Sequence, residues 1–206
     1  MQTKSDAVGK LEWLVSVDST VVRAHQHASG ARSKPSIGDE KGVEHPSEEA
    51  LGRGRDGFST KVYLSCDGKG RPLSVVVTPG QRNDGTQLSV VLNSIRVPRA
   101  GRGRPRKRPD HLLAERGYGK GVYRRMLRAR AIPHTIPERS DHRERRAKRP
   151  GRPPTFEADL YAKRNVVERC VNRLKQWRCV ALRYEKRALN YKAMVVIASL
   201  MIWLAS

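Results

Sequence analysis

Short apolar runs that end at turns or polar residues recur along the chain and alternate with helical patterns. Alternating or β-branched apolar runs a few residues long are typical of buried strands. Five such runs occur, at Leu11–Val17, Thr60–Cys66, Pro72–Thr78, His111–Ala114 and Ala131–Ile136. The first is predicted to end at Asp18. The sequence Asp-Gly-Lys-Gly between the second and third consists of strong turn residues and predicts a β-hairpin.

Apolar residues at helical spacing follow the hairpin and dominate the C-terminal part of the chain. A first helix is predicted after Asn83 or Asp84, either of which can cap it. Its apolar stripe consists of Leu88, Val91, Leu92 and Ile95. Further helices are predicted around Val122–Leu127, over 156–182 and over 188–204. This order of elements predicts an α/β fold with a mixed sheet of about five strands flanked by helices.

One domain is predicted over residues 11–206, after an N-terminal tail over residues 1–10. The length of 206 residues is ordinary for a single domain. Three stretches inside it lack apolar periodicity. Residues 28–56 are predicted to be a loop or insertion, and residues 97–110 and 138–155 are predicted to be basic loops.

Positive charge is concentrated in one part of the sequence. The formal net charge is +22, and the segment 96–152 holds 20 Lys and Arg against five acids. Dense positive charge releases counterions when it meets phosphates, so it favours a nucleic-acid partner. The alternative is a solvated basic surface that serves solubility. The predicted phosphate contacts in the first basic loop are Arg102, Arg104, Arg106 and Lys107.

The sequence predicts neither membrane insertion nor secretion. The longest apolar run, Ala193–Ala205, is shorter than the roughly 20 residues that span a bilayer. The N-terminus carries no apolar secretory segment, and the three cysteines form no paired motif. We therefore expect a cytoplasmic protein with no membrane partner.

Three acidic residues lie at positions where the predicted fold could bring them together. Asp18 follows the first predicted strand, Glu115 follows the fourth, and Glu168 lies in the predicted long helix. If the two strands are neighbours, the first two carboxylates lie side by side, and a helix across them brings the third. Three converging carboxylates repel unless cations hold them, and Mg²⁺ or Mn²⁺ takes oxygen ligands. Two such ions would suit phosphodiester chemistry. The alternative is three unrelated surface acids.

The predicted helix presents a polar stripe around Glu168. At about 100° per residue, four residues fall within roughly 40° of it: Tyr161, Arg164, Asn172 and Lys175. Glu168 could bind metal while Arg164 and Lys175 hold DNA phosphates. The alternative is an ordinary amphipathic helix with an i, i+4 Arg–Glu pair.

The residues Tyr161, Arg164, Glu168 and Lys175, in the spacing Y-x2-R-x3-E-x6-K, resemble the signature of bacterial insertion-sequence transposases of the IS4/IS5 superfamily, IS5 type. The segment 17–25, Val-Asp-Ser-Thr-Val-Val-Arg-Ala-His, resembles the block that carries their first catalytic aspartate. Blocks at 80–84 and 165–177 also resemble IS5-type sequences.

This resemblance implies an RNase H-like fold and a DDE active site that nicks and joins DNA ends with two divalent ions. It implies that Asp18, Glu115 and Glu168 are the catalytic and metal-binding residues. It also implies that Tyr161, Arg164 and Lys175 handle transposon-end DNA. Asn172, on the same stripe, and Arg23 are expected to contact DNA as well, with simple packing as the alternative for Arg23. The implied partners are the terminal inverted repeats and target DNA, with a homodimer forming on the DNA in the bacterial cytoplasm, at the nucleoid.

Two departures from the family pattern carry their own expectations. Residues 113–118 read Leu-Ala-Glu-Arg-Gly-Tyr, with Glu115 where the family has Asp, so impaired activity is expected. The sequence also starts close to Asp18, without the N-terminal helical region of single-frame relatives. We expect the product of a split gene with an upstream-frame partner, or a fragment. The alternative functions are a truncated remnant that only binds DNA and, less favoured, a stand-alone RNase H-like nuclease.

Overall fold

A computed structural model describes residues 1–31, 49–54, 57–148 and 153–206. The strands are β1 (Leu14–Arg23), β2 (Gly52–Gly54), β3 (Gly57–Cys66), β4 (Pro72–Pro79), β5 (His111–Ala114) and β6 (His134–Thr135). The helices are α1 (Gln2–Ala7), α2 (Gln26–Ser29), α3 (Asp84–Ser94), α4 (Gly121–Ala129), α5 (Ser140–Ala147), α6 (Ala158–Ala162), α7 (Asn165–Lys175), α8 (Arg178–Ala181) and α9 (Ala188–Leu204), with a turn of 3-10 helix at Arg116–Tyr118.

The strands form one mixed sheet in the order β2-β3-β1-β5-β6, and β4 pairs with β3. β5 is parallel to both β1 and β6, whereas β2 and β3 are antiparallel. All five predicted strands are present, and the mixed sheet with flanking helices confirms the predicted α/β fold class. The order follows from the connections, because parallel neighbours need crossovers whereas the hairpin joins β3 to β4 directly.

The chain divides into two compact units. The first comprises Met1–Asp18, Leu64–Ser74 and Asn83–Cys170, and the second Ser19–Tyr63, Val75–Arg82 and Val171–Ser206. The core of the first unit is built on β5, whose Leu112, Leu113 and Ala114 are fully buried, together with buried residues of β1 and α3. Such a continuous apolar run is what a parallel strand covered on both faces requires.

The second unit contains α8 and α9 and a fully buried arginine, Arg183. The Arg183 guanidinium donates to the carbonyl oxygens of Ala50, Glu185 and Lys186 and to the Thr60 hydroxyl. A charge enclosed in this way is tolerated because oxygens accept its N–H groups. Arg183 therefore ties the segments before β2, in β3 and before α9 to one another.

Three helices replace the single helix predicted over 156–182: α6, α7 and α8. The first break is a turn at Lys163 and Arg164, where the Arg164 amide bonds to the Tyr161 carbonyl at 2.9 Å. Bonds from residue i to i−3 tighten a helix end. The prediction of one continuous helix was wrong, because periodicity cannot register a turn that preserves the apolar face.

The predicted end of the first strand was also wrong, since β1 continues through Asp18 to Arg23. Residues 19–22 read Ser-Thr-Val-Val, which favours strand. Four further elements fall in stretches that were not predicted to be regular: α1 within residues 1–10, α2 at the start of the predicted insertion, β2 within it, and α5 within residues 138–155. Of the predicted 28–56 insertion, residues 32–48 and 55–56 lie outside the described residues. The single-domain boundaries stay a prediction.

Over the residues that the structure describes, every helix falls short of the length and apolarity that a bilayer crossing requires.

Candidate active site

The parallel pairing of β1 with β5 brings two of the three predicted acids to one edge of the sheet. Val17 lies opposite Ala114 at the last paired position. Asp18 and Glu115 are the next residues along the two strands. Because the strands run in the same direction, Asp18 and Glu115 both lie at the same end of the paired region.

The third acid comes from α7. Val167 and Cys170 are fully buried there, which fixes the rotation of the first turn of the helix and leaves Glu168 half-exposed toward an open cleft of about 640 Å³. The side chains that line this cleft are Asp18, Glu115, Arg116, Pro137, Glu138, Tyr161, Arg164 and Glu168. The structure therefore brings together all three acids that the sequence singled out.

Arg164 joins two of these acids. Its Nη2 lies 3.0 Å from Asp18 Oδ2, and its Nη1 donates to Glu168 Oε1 at 2.7 Å. Arg164 is 9% exposed. Burial alone would lower the pKa of its guanidinium, but the charges of Asp18 and Glu168 outweigh burial and raise that pKa. The pair predicted as the alternative, Arg164 with Glu168, is present and extends to Asp18.

Glu115 occupies a more enclosed position. Burial, and then the charges of Asp18 and Asp84, raise the pKa of the Glu115 carboxyl, while Arg164 opposes them. The carboxylate lies over Gly117, where a Cβ would meet Glu115 Oε1 at 2.9 Å. Glycine at this position therefore leaves room for the carboxylate.

A fourth acid, Glu138, lines the same cleft and was missed from the sequence. Arg146, on α5, donates a hydrogen bond from its Nη2 to Glu138 Oε2 at 2.9 Å, and the hydrogen bonding by Arg146 lowers the pKa of Glu138. Glu138 lies three residues beyond the end of β6, which is parallel to β5, whereas Glu115 directly follows β5. An acid just beyond a predicted strand was therefore a signal that could have identified it.

The chemistry of this cleft suits a hard divalent cation, because its acidic groups offer only carboxylate oxygens. Arg164 lies between the carboxylates of Asp18 and Glu168. Among the described residues, no three His, Cys, Asp or Glu side chains are gathered closely enough to hold one ion. The carboxylates thus suit a divalent cation by their chemistry, and the guanidinium of Arg164 separates Asp18 from Glu168.

The predicted DNA-binding residues lie in several places. Tyr161 lines the cleft and packs against Phe156, with ring centroids 5.3 Å apart. Arg106 is held by Asp110 and lies over the Trp13 ring. The remaining side chains are not among those that line the cleft: Arg102, Arg104 and Lys107 are exposed in the first unit, and Arg23, Asn172 and Lys175 belong to the second.

Comparison with known proteins gives one family. The family model described as "Transposase DDE domain" matches residues 9–204. A protein named as a transposase for insertion sequence element IS6501 of Brucella ovis is 31% identical over 151 residues, which cover 71% of this chain and 99% of that protein. One named for element IS402 of Burkholderia cepacia is 33% identical over 129 residues, covering 63% of this chain and 55% of that protein.

Among solved structures, a cryo-EM structure of the piggyBac transposase synaptic complex with hairpin DNA aligns at 16% identity and a TM-score of 0.47, covering 95% of this chain and 48% of that one. The chain thus spans about half the length of the IS402 and piggyBac proteins. The family model covers nearly the whole chain, and the Brucella protein matches at more than 30% identity over two thirds of it. The chain belongs to the Transposase DDE domain family, among the transposases of bacterial insertion sequences.

Proposed function

We propose that this chain is the catalytic part of an insertion-sequence transposase that cuts and joins DNA ends. Asp18, Glu115 and Glu168 are its catalytic residues. The observation that carries the proposal is that these carboxylates, distant in sequence and placed by β1, β5 and α7, line one cleft. Family membership supports this class of reaction, and the shared cleft supports these residues.

The same three carboxylates are proposed to hold two Mg²⁺ or Mn²⁺ ions. When bound, such ions activate a nucleophile and stabilise a leaving oxygen in phosphodiester chemistry. In the reaction we propose, water attacks a phosphodiester at the element's end and frees a 3′-hydroxyl. That hydroxyl then attacks a phosphodiester of the target DNA, so that one P–O bond forms as another breaks.

The chain's basic residues are proposed to position the DNA. Tyr161 and Arg164, inside the cleft, lie where they could contact the phosphate next to the scissile bond. Arg102, Arg104 and Lys107 are exposed, so they are available for phosphates farther along the duplex. We assign the same role to Arg23, Arg106, Asn172 and Lys175. The proposed DNA partners are the terminal inverted repeats and the target, bound by a homodimer in the bacterial cytoplasm.

The second candidate is a remnant that binds DNA without cutting it, favoured by the glutamate at position 115. Labelled DNA carrying the element's ends, incubated with the protein in Mn²⁺, Mg²⁺ or EDTA, separates the two. We expect nicking in either metal and none in EDTA, with DNA binding under all three conditions. Binding without nicking in any of them would favour the remnant.

Shortening Glu115 by one methylene tests the second acid position. We expect Glu115→Asp to raise the rate of strand transfer, on the order of tenfold, because a misplacement of about 1 Å at a reacting centre can cost about 100-fold. The measurement is the single-turnover rate of joined product. Glu138→Asp is the matched control, since that acid is held by Arg146. A rate for Glu115→Asp at or below that of the parent protein would contradict the assignment.

A further inference from the structure

Arg164 occupies the space between two of the proposed metal ligands. One guanidinium nitrogen contacts Asp18 at 3.0 Å and the other contacts Glu168 at 2.7 Å. Its Nε is buried and has no hydrogen-bond acceptor within the described part of the chain. The two η nitrogens therefore account for its contacts with the acids, and they lie where oxygen-binding cations would be expected.

The backbone around Arg164 is built to deliver this side chain. Arg164 belongs to the turn between α6 and α7 rather than to either helix. The Val167 amide donates to the Arg164 carbonyl at 3.0 Å, so the turn is closed on the α7 side as well. The neighbouring Lys163 is exposed. The turn thus places the side chain of Arg164 inside the cleft and leaves that of Lys163 in solvent.

Formal charge shows what the exchange of this cation would accomplish. Asp18, Glu115 and Glu168 together carry −3, and Arg164 reduces this to −2, which matches one divalent ion. Two divalent ions carry +4. This exceeds the −3 of the carboxylates, so the guanidinium is no longer held there by charge, and it is attracted instead by the −1 of a DNA phosphate that enters the cleft.

We propose that Arg164 holds the place of a cation between Asp18 and Glu168 in the DNA-free protein, and passes to a DNA phosphate when divalent ions take the carboxylates. Guanidinium suits both positions, because its planar fork binds carboxylate and phosphate oxygens with the same geometry. Arg164 is then a positioning residue that couples metal loading to DNA. This inference rests on the proposed metal-dependent function.

The first test measures Mn²⁺ binding to the DNA-free protein by titration calorimetry. Arg164→Met removes the guanidinium and keeps an unbranched stem. We expect its affinity for Mn²⁺ to be about tenfold higher than that of the parent, because the carboxylates no longer have an internal cation. Arg169→Met, at an exposed arginine in α7, removes the same net charge and should leave the affinity unchanged. Arg164→Lys should lie between parent and Met variant, since one ammonium bridges two carboxylates less well.

The second test uses Ca²⁺, which binds oxygen ligands, and measures how it changes the affinity for the element's end DNA. Coupling is reciprocal, so a metal that releases Arg164 must strengthen DNA binding. We expect this strengthening in the parent protein and its loss in Arg164→Met. Circular dichroism shows whether each variant is folded.

The inference is overturned if Arg164→Met binds Mn²⁺ no more tightly than the parent, or if Ca²⁺ strengthens DNA binding equally in both. Either result, together with metal-dependent nicking by the parent, would leave the proposed function intact. If the parent neither binds Mn²⁺ nor nicks DNA, the proposed function fails and the inference fails with it.

Discussion

Asp18→Asn should reduce metal-dependent DNA nicking by about 10³-fold or more. The substitution keeps the size of the side chain and removes one of the charges that would hold a divalent ion. Such ions contribute several kcal/mol to transition-state stabilisation, and each 1.36 kcal/mol is a factor of about ten in rate. The measurement is single-turnover nicking of end DNA in Mn²⁺. Glu168→Gln should show a loss of the same order, because its carboxylate lines the same cleft.

The matched control for this loss is Asp159→Asn. Asp159 is exposed in the first turn of α6, so its removal changes the net charge equally and leaves the cleft alone. We expect the parent rate from this variant. All variants should bind DNA at least as tightly as the parent, since each has one negative charge fewer. Nicking by Asp18→Asn within tenfold of the parent rate would contradict the assignment.

Arg183→Met should lower the free energy of unfolding by about 3–5 kcal/mol. Arg183 is fully buried and donates four hydrogen bonds to oxygens of its own unit. Its removal takes the guanidinium donors from the half-buried carbonyl oxygens of Glu185 and Lys186, whereas the Ala50 carbonyl keeps the Thr60 hydroxyl. Each group left unsatisfied costs about 1–3 kcal/mol, and the space left by the shorter side chain adds to this loss. For a chain of this length, each kcal/mol corresponds to roughly 2–4 °C in Tm. Urea denaturation and thermal unfolding both measure the loss.

Arg187→Met is the control for this experiment, because Arg187 is an exposed arginine just before α9. We expect its free energy of unfolding to stay within about 0.5 kcal/mol of the parent value. A loss below 1 kcal/mol in Arg183→Met would mean that water or other groups satisfy the same oxygens. That result would remove Arg183 as an organiser of the second unit.

Local features of the fold were predictable from the sequence. Asn83 caps α3, and its side chain accepts from the Gly85 amide. The hairpin turn lies at 67–71, and α9 spans Ala188–Leu204, as predicted. These elements depend on neighbouring residues, through capping, turn propensity and apolar spacing.

Features that depend on distant residues were not predictable in the same way. The turn at Arg164 interrupts a pattern that remains helical on its apolar face. A carboxylate of β1, 146 residues earlier, receives this arginine. Glu138 enters the cleft because β6 lies beside β5. The turn has no signal at helical spacing, and the position of Glu138 after a predicted strand becomes informative only once β6 is known to lie beside β5.

The sequence by itself determined the class of elements, the family and the three acids that could act together, because each has a local pattern. The tertiary structure decided that the three acids line one cleft with Glu138, and that Arg164 lies between Asp18 and Glu168. Charges at such separations in sequence interact only when strand pairing and helix packing bring them within a few ångströms of one another. Coulomb energy depends on the distance between the charges, and the amino-acid sequence alone does not give that distance.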